Sequence, residues 1–436
     1  MNGSFRTRTG TLPLAVLLAG AGFASAASKT DTPLGWASQN GGTTGGTGGT
    51  EVTVTTMSDL QKYAKASGKY IIWVSGTMGS YGVRGNGNED IVSVASDKSI
   101  LGLPGAHVKG NITMNGVKNV ILRNLTMEGP GACDNSCGSA GESRQDAITV
   151  LGATNIWIDH MDVFDGEDGN TDITKNANYV TVSWVKFHYT DKSYPSGTSG
   201  YSHRYCNLIG SDDSYTSDAG KLKTTFYKTW WGEGVAERMP RVRFGQIHVA
   251  NCLFTSTDAG QNHCIRAGYK ADILAESNAF IGQKKPIDLY NNDFTAVTSK
   301  NNLFSNCSGN TSGSGTSFTP PYTLSLSATS GLQAEISNTS TGAGPNLTWG
   351  TTSIAPVPGH ETNEAVRMER RDGREFLTNP AQSPAWVSLW NLTGSRLSPE
   401  YELAAGGRME LPAVDGSRVL QVRTPYGNES RILSLR

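Results

Sequence analysis

Residues 247–254 read Ile247-His248-Val249-Ala250-Asn251-Cys252-Leu253-Phe254, and the ending of that phrase returns as Ser277-Asn278-Ala279-Phe280 and as Asn301-Asn302-Leu303-Phe304. Each copy has a short apolar run, a polar corner and then an aromatic residue. Related runs occur upstream at Val120-Ile121-Leu122, Ile156-Trp157-Ile158 and Tyr179-Val180-Thr181-Val182, and downstream at Asp272-Ile273-Leu274. Asn124, His160, Ser183, Asn251, Ser277 and Asn301 occupy the corners. Several neighbouring corners are roughly 23–27 residues apart, a solenoid repeat length. A strand of four or five residues cannot stand alone. Stacked parallel rungs bury their inward faces in one core and pair each backbone with the rungs above and below. Stacked corner asparagines can also hydrogen-bond along the pile. An antiparallel sandwich has short, evenly spaced strands too, but the recurring corner-then-aromatic phrase favours the solenoid. The wider gaps, such as Cys133 to Gln145 and Tyr194 to Asn207, then read as loops inserted between rungs.

The chain has 436 residues, with 37 Lys and Arg against 38 Asp and Glu. This balance lacks the basic excess of a nucleic-acid binder, so no nucleic-acid partner is expected. It leaves room for an anionic polymer held by a local basic cluster. The 52 glycines and 37% hydrophobic content suit a turn-rich β-fold. Arg6 and Arg8, the apolar stretch Leu12 to Phe23 and then Ala24-Ser25-Ala26 have the form of a secretory leader, with cleavage expected after Ala26. The apolar stretch is too short to cross a bilayer comfortably, and no membrane span is expected. Export makes disulfides the natural reading of six cysteines, with Cys133–Cys137 and Cys252–Cys264 as possible pairs; the connectivity stays open.

Composition divides the rest. Gly35-Trp36-Ala37-Ser38 leads into a Gly/Thr run that ends at Gly49 and reads as a flexible linker. Met57 to Ala66 reads as a short helix with Ser58 as N-cap. Beyond Cys307, Ser, Thr, Gly and Pro dominate to about Gly359, and no Lys follows Lys300. The resulting division is a leader over 1–26, the repeat-bearing main domain over 27–345, a linker over 346–360 and an Arg-rich β-module over 361–436. That module has the alternating pattern of a small β-sandwich, suited to carbohydrate binding, to sorting or to neither.

Charged side chains gather in three places. Asp146, then Asp168 and Asp172 within Asp168-Gly169-Asn170-Thr171-Asp172, form an acidic set. Surface carboxylates are common, yet two of them at a strand entry and a third on the preceding rung can converge on a hard cation such as Ca2+. Arg238-Met239-Pro240-Arg241-Val242-Arg243-Phe244 is the basic set, with Arg241 and Arg243 on the same side of a strand. Arg suits bidentate recognition of carboxylates. Between them lies Asp191-Lys192.

At these stretches the sequence resembles the pectate lyases of polysaccharide lyase family 1. The resemblance runs from Gly35 to about Phe304, through Ile156-Trp157-Ile158-Asp159-His160, Val180-Thr181-Val182-Ser183-Trp184 and Arg238-Met239-Pro240-Arg241-Val242-Arg243-Phe244-Gly245 into His248-Val249-Ala250-Asn251. It implies an all-β chain built on a right-handed parallel β-helix, with the Gly/Thr run as the ordered start of the catalytic domain. It implies calcium-assisted β-elimination of polygalacturonate by a monomer. By motif position, the calcium carboxylates fall on Asp146, Asp168 and Asp172, the catalytic base on Arg238 and the substrate-binding side chains on Lys192 and Arg243. The sequence departs from the family at Arg144, where a further acid is usual, and in the insertion between Lys192 and Asn207. A pectin lyase acting on methyl-esterified chains needs no such carboxylates, although the Trp230-Trp231 pair suits a less charged substrate. A non-catalytic polysaccharide-binding β-helix would not need the Arg238, Lys192 and Arg243 set.

Overall fold

The structure is a computed structural model, and it describes residues 27–81, 90–133, 145–193, 203–258, 260–349, 366–371, 374–379, 385–391, 396–411, 418–424 and 427–433. The expected leader, Arg144, Cys137 and residues 350–360 of the expected linker lie outside the described residues.

Three parallel sheets of ten, nine and eight strands wind together. Each coil supplies one strand to each sheet in turn, as Lys118–Arg123, Thr126–Glu128 and Ile148–Leu151 do before Thr154–Asp159 begins the next. The fold is a parallel β-helix. Register follows side-chain period: Ile100 pairs with Leu122, Leu122 with Ile158, Ile158 with Val182 and Val182 with Phe226. All five are fully buried in one core. At roughly 1.5–3 kcal/mol per buried aliphatic or aromatic side chain, such rows supply much of the drive to coil. A one-residue slip would turn a whole row outward.

Most corners lie where the sequence placed them. Asn124, His160, Asn251, Ser277 and Asn301 all take positive φ between 46° and 60°, the left-handed region that Asn tolerates best. Ser183 does not: it ends its strand, and Trp184 turns the corner at φ 52°. Lys228 turns another at φ 52° while fully buried, its ammonium held by Ser327 at 2.6 Å and Glu335 at 2.8 Å. One residue past the corners runs an amide ladder. Asn278 Oδ1 accepts from the Cys252 amide at 2.8 Å, and Asn278 Nδ2 donates to Asn302 Oδ1 at 2.9 Å. The aromatic residues of the repeated phrase stack inside: Trp231, Phe254, Phe280 and Phe304 have successive centroid separations of 4.6, 4.1 and 5.1 Å.

The Gly/Thr run is ordered, as the resemblance implied and composition did not. Trp36 and Ala37 donate their amides to Thr225 Oγ1 and Thr181 Oγ1, both at 2.9 Å. A Cβ on Gly46 would lie 1.8 Å from the Tyr70 carbonyl oxygen, so only glycine lets this segment lie flat on the sheet. The helix spans Met57–Lys65, but its cap is Thr56, whose hydroxyl accepts from the Asp59 amide at 3.2 Å. Ser58 falls inside the first turn. A second helix, Thr329–Ile336, packs Leu332 and Ile336 on Leu253 and Ala279. Past it, Leu347 donates its amide to Asn124 Oδ1 at 2.9 Å, and Trp349 Nε1 reaches the Gly102 carbonyl at 2.8 Å.

Cys252 and Cys264, one of the possible pairs, do not form a disulfide. Both are buried free thiols, since Cys252 follows a ten-stranded-sheet strand and Cys264 precedes a strand of the eight-stranded sheet. Cys252 Sγ instead lies 3.4 Å from the Phe226 and Ala250 carbonyls. The Cys133–Cys137 pairing lies outside the described residues. Towards the C-terminus, antiparallel sheets of three and four strands enclose a core that includes Leu377, Val387, Leu389, Leu403 and Leu420. This is the sandwich-like pattern expected there. Among the described residues, no helix is long and apolar enough to cross a membrane.

Candidate active site

The eight-stranded sheet presents an outward row that changes charge along the helix. Thr149 pairs with Asp172, and the next residue, Ile173, pairs with Ile209. In the following coils Leu208 pairs with Arg241, Arg241 with Arg266 and Arg266 with Asp288.

At the acidic end a tight turn crowds three carboxylates. A Cβ on Gly166 would meet the Gly169 carbonyl oxygen at 1.8 Å. One on Gly169 would lie 3.0 Å from Asp146 Oδ1 and 3.4 Å from Asp172 Oδ1, so the glycine backbone passes between the two acids. Asp146 Oδ1 is shut off from solvent and has no hydrogen-bond partner. Burial holds the Asp146 carboxyl well above the usual carboxylate range, Asp172 and Asp168 add repulsion, and Arg238 pulls the other way. Asp172 is pushed up to about 7, first by burial; Arg238 and the Leu208 amide, 3.0 Å from its Oδ1, oppose that rise. Asp168 pairs with His203 Nδ1 at 2.7 Å.

Arg238 enters from two coils beyond Asp172, in the turn before Arg241. It holds a left-handed backbone at φ 62°, followed by a cis Met239–Pro240 bond. Its guanidinium carbon lies 3.9 Å from the Tyr205 ring centroid, while its Nε is buried without a hydrogen-bond partner. The structure therefore brings Asp146, Asp168, Asp172 and Arg238 into one electrostatic unit. Lys192 and Arg243 are engaged elsewhere. The Lys192 ammonium reaches Glu128, donates to the Gly129 carbonyl at 2.9 Å and sits 3.9 Å from the Tyr81 ring centroid. Arg243 binds Asp213 Oδ1 at 2.5 Å and the Gly210 carbonyl at 3.0 Å.

Three neighbours had no assigned role in the sequence. His203 and Tyr205 come from the insertion after Lys192, where no pattern places them. Arg266, bound to Asp288 at 2.6 Å and stacked 4.6 Å from Tyr290, continues the Arg241 row. That continuation was readable once the rungs were aligned. Arg241 itself has its guanidinium pKa lowered by burial, with Arg243, Arg238 and Arg266 adding repulsion.

The donor set fits a hard divalent cation: oxygen ligands, one an orphaned buried oxygen, and mutual repulsion that a cation would relieve. Asp146, Asp168 and Asp172 carry those oxygens, and Asp146 Oδ1 is the orphaned one. Among the described residues, no three His, Cys, Asp or Glu side chains already converge as a closed metal cluster.

The family model described as "Pectate lyase" matches residues 10–345. Pectate lyase E of Dickeya chrysanthemi is 34% identical over 312 residues, covering 63% of this chain and 77% of that protein. Pectate lyase A of Aspergillus niger is 33% identical over 336 residues, covering 75% and 91%. Pectate trisaccharide-lyase of Thermotoga maritima is 36% identical over 236 residues, covering 52% and 59%. A mutant pectate lyase from Bacillus subtilis superposes with a TM-score of 0.60 at 22% identity, covering 74% of this chain and all of that one, which supports the fold. Fold and family match together define a polysaccharide lyase on a parallel β-helix. The chain belongs to the pectate lyase family.

Proposed function

We propose that this chain cleaves α-1,4-linked polygalacturonate by β-elimination, with Arg238 as the base and calcium held by Asp146, Asp168 and Asp172. The observation that carries the reading is the position of Arg238. Its guanidinium is partly desolvated, lies over Tyr205 and acts directly on two buried carboxylates. The reaction takes the C5 proton, adjacent to a uronate carboxylate, forms the C4–C5 double bond and breaks the C4–O bond. The leaving oxygen then takes a proton from water. Bound calcium would neutralise the uronate carboxylate and the charge that develops beside it.

Arg is a reluctant base, and in this chain it sits in a bank of further arginines. Arg241, Arg243 and Arg266 line the same face as Arg238, and burial together with repulsion from Arg243, Arg238 and Arg266 lowers the Arg241 guanidinium pKa. Arg243 and Lys192 would turn from Asp213 and Glu128 to hold substrate carboxylate oxygens. Alkaline activity follows from such a base.

The same reading has a secreted monomer, cleaved after Ala26, with its catalytic domain over 27–345, a linker over 346–360 and an accessory or sorting module over 361–436. The decisive assay follows absorbance of the unsaturated product from polygalacturonate and from methylated pectin, with calcium or chelator. Product from polygalacturonate that chelator abolishes supports the proposal. Product from pectin alone, indifferent to chelator, indicates a pectin lyase, and product from neither indicates a binding protein. Arg238→Lys should cost about 10²–10⁴ in kcat; full rate in that variant removes Arg238 as the base.

A further inference from the structure

Behind Arg238 lies a fully buried histidine that the elimination chemistry does not use. His263 is 0% exposed. Its Nε2 is 3.4 Å from the Arg238 backbone nitrogen and accepts that N–H. Arg238 needs such a partner. A non-glycine residue in the left-handed region is strained, and a buried amide without an acceptor is costly. The segments on either side are already tied: the Arg238 carbonyl accepts from Asn207 N at 2.7 Å, and Met239 N donates to the Cys264 carbonyl at 3.0 Å.

Accepting on Nε2 requires the neutral ring with its proton on Nδ1, which stands 3.3 Å from Glu237 Oε2. Glu237 is itself buried and fixed by Asn262 Nδ2 at 3.0 Å. Burial and the surrounding Arg266, Arg241, Arg238 and Lys285 charges hold the imidazole well below its ordinary pKa, which keeps Nε2 free of a proton.

We infer that His263 is a positioning residue for the elimination: its Nε2 fixes the left-handed backbone of Arg238 and thereby aims the guanidinium past Tyr205 at the substrate proton. The inference rests on the reading of Arg238 as base. A misaimed base loses rate even when substrate binds as before, because proton transfer needs hydrogen-bond reach and alignment.

The test uses the full chain with calcium and polygalacturonate. His263→Gln places an acceptor where Nε2 stood, His263→Asn places its amide near Nδ1 instead, and His263→Leu keeps volume without an acceptor. His263→Leu and His263→Asn should lose about tenfold or more in kcat with KM within about twofold, and His263→Gln should stay within about threefold of wild type. The Gln-against-Asn contrast stands even if the Leu variant fails to fold. In an Arg238→Lys background, His263→Leu should cost no more than about twofold. Equal losses in Gln and Asn, or the same His263→Leu factor in both backgrounds, would overturn the positioning role while leaving Arg238 as the base. Full rate in Arg238→Lys alone would overturn the underlying reading, and the inference with it.

Discussion

Replacing Asp172 by Asn should stabilise the metal-free protein at alkaline pH while disabling it. In the folded chain the Asp172 carboxyl is pushed up from 3.8 to about 7, chiefly by burial. Between those values the native state holds a proton that the unfolded chain has released. That contribution to stability is complete below about 4 and is lost as pH rises through about 7. Roughly three pH units at ~1.36 kcal/mol each set a cost on the order of 4 kcal/mol for the charged form. This is an upper bound, because Asp172 keeps some solvent contact and Arg238 loses a counter-charge in the variant. Asn keeps an oxygen to accept the Leu208 amide, so the backbone bond at 3.0 Å survives.

In chelator at pH 8.5, Asp172→Asn should therefore unfold in urea with about 1–4 kcal/mol more stability than wild type. At pH 4 the difference should nearly vanish. Calcium at about 1,000 times its Kd should reverse the order, since it adds about 4.1 kcal/mol to the wild type and little to a variant lacking a ligand oxygen. If wild type and variant showed parallel pH profiles in chelator, or the variant were the less stable at pH 8.5, the account of the crowded carboxylates would be refuted.

Two further outcomes concern the scaffold. Phe254→Ala removes the middle of the Trp231–Phe254–Phe280 stack and should cost about 3–5 kcal/mol in urea unfolding; a loss under about 1 kcal/mol would mean that the stack repacks. Glu335→Ala leaves the buried Lys228 ammonium with Ser327 as its remaining hydrogen-bond partner and should cost about 2 kcal/mol. Lys228→Met, which removes the charge altogether, should recover most of that loss in the double variant.

The rungs were legible because period-2 burial and positive-φ corners both leave marks on residue type. Asn251, Asn301 and Phe254 announce themselves. Lys228 does not: a lysine in a buried left-handed corner is tolerated only because Ser327 and Glu335, about a hundred residues later, meet its ammonium. The Ser183 assignment missed by one residue because Trp184 carries a conformation that its side chain does not advertise. Cys252 and Cys264 looked pairable by sequence distance, yet the coil sends them to different sheets. The Gly/Thr run shows the limit of composition, since its glycines are needed for backbone contact such as that of Gly46 with Tyr70 and not for freedom. At the site, Asp168 and Asp172 are close in sequence, and rung alignment adds Asp146. His203, Tyr205 and His263 came to light only in three dimensions, because each acts on a residue from another coil.

A parallel β-helix separates stability from chemistry in a way that explains this uneven legibility. Inward rows such as Ile100–Leu122–Ile158–Val182–Phe226 fix the backbone, so outward side chains on the eight-stranded sheet lie at strand spacings of about 4.8 Å whatever their identity. Asp172 and Arg241 are thereby set two coils apart, and Arg266 and Asp288 follow one coil at a time. An acidic polymer laid along that row would pass from a cation held by carboxylates to a bank of arginines. Arg238 lies off the regular strand, in the left-handed turn before Arg241, and that departure puts its guanidinium next to the carboxylates rather than in the row. Regular coil positions can bind charge along a chain, but aiming one proton acceptor needs an irregular one. That irregular position is also where the fold supplies a buried imidazole to hold it.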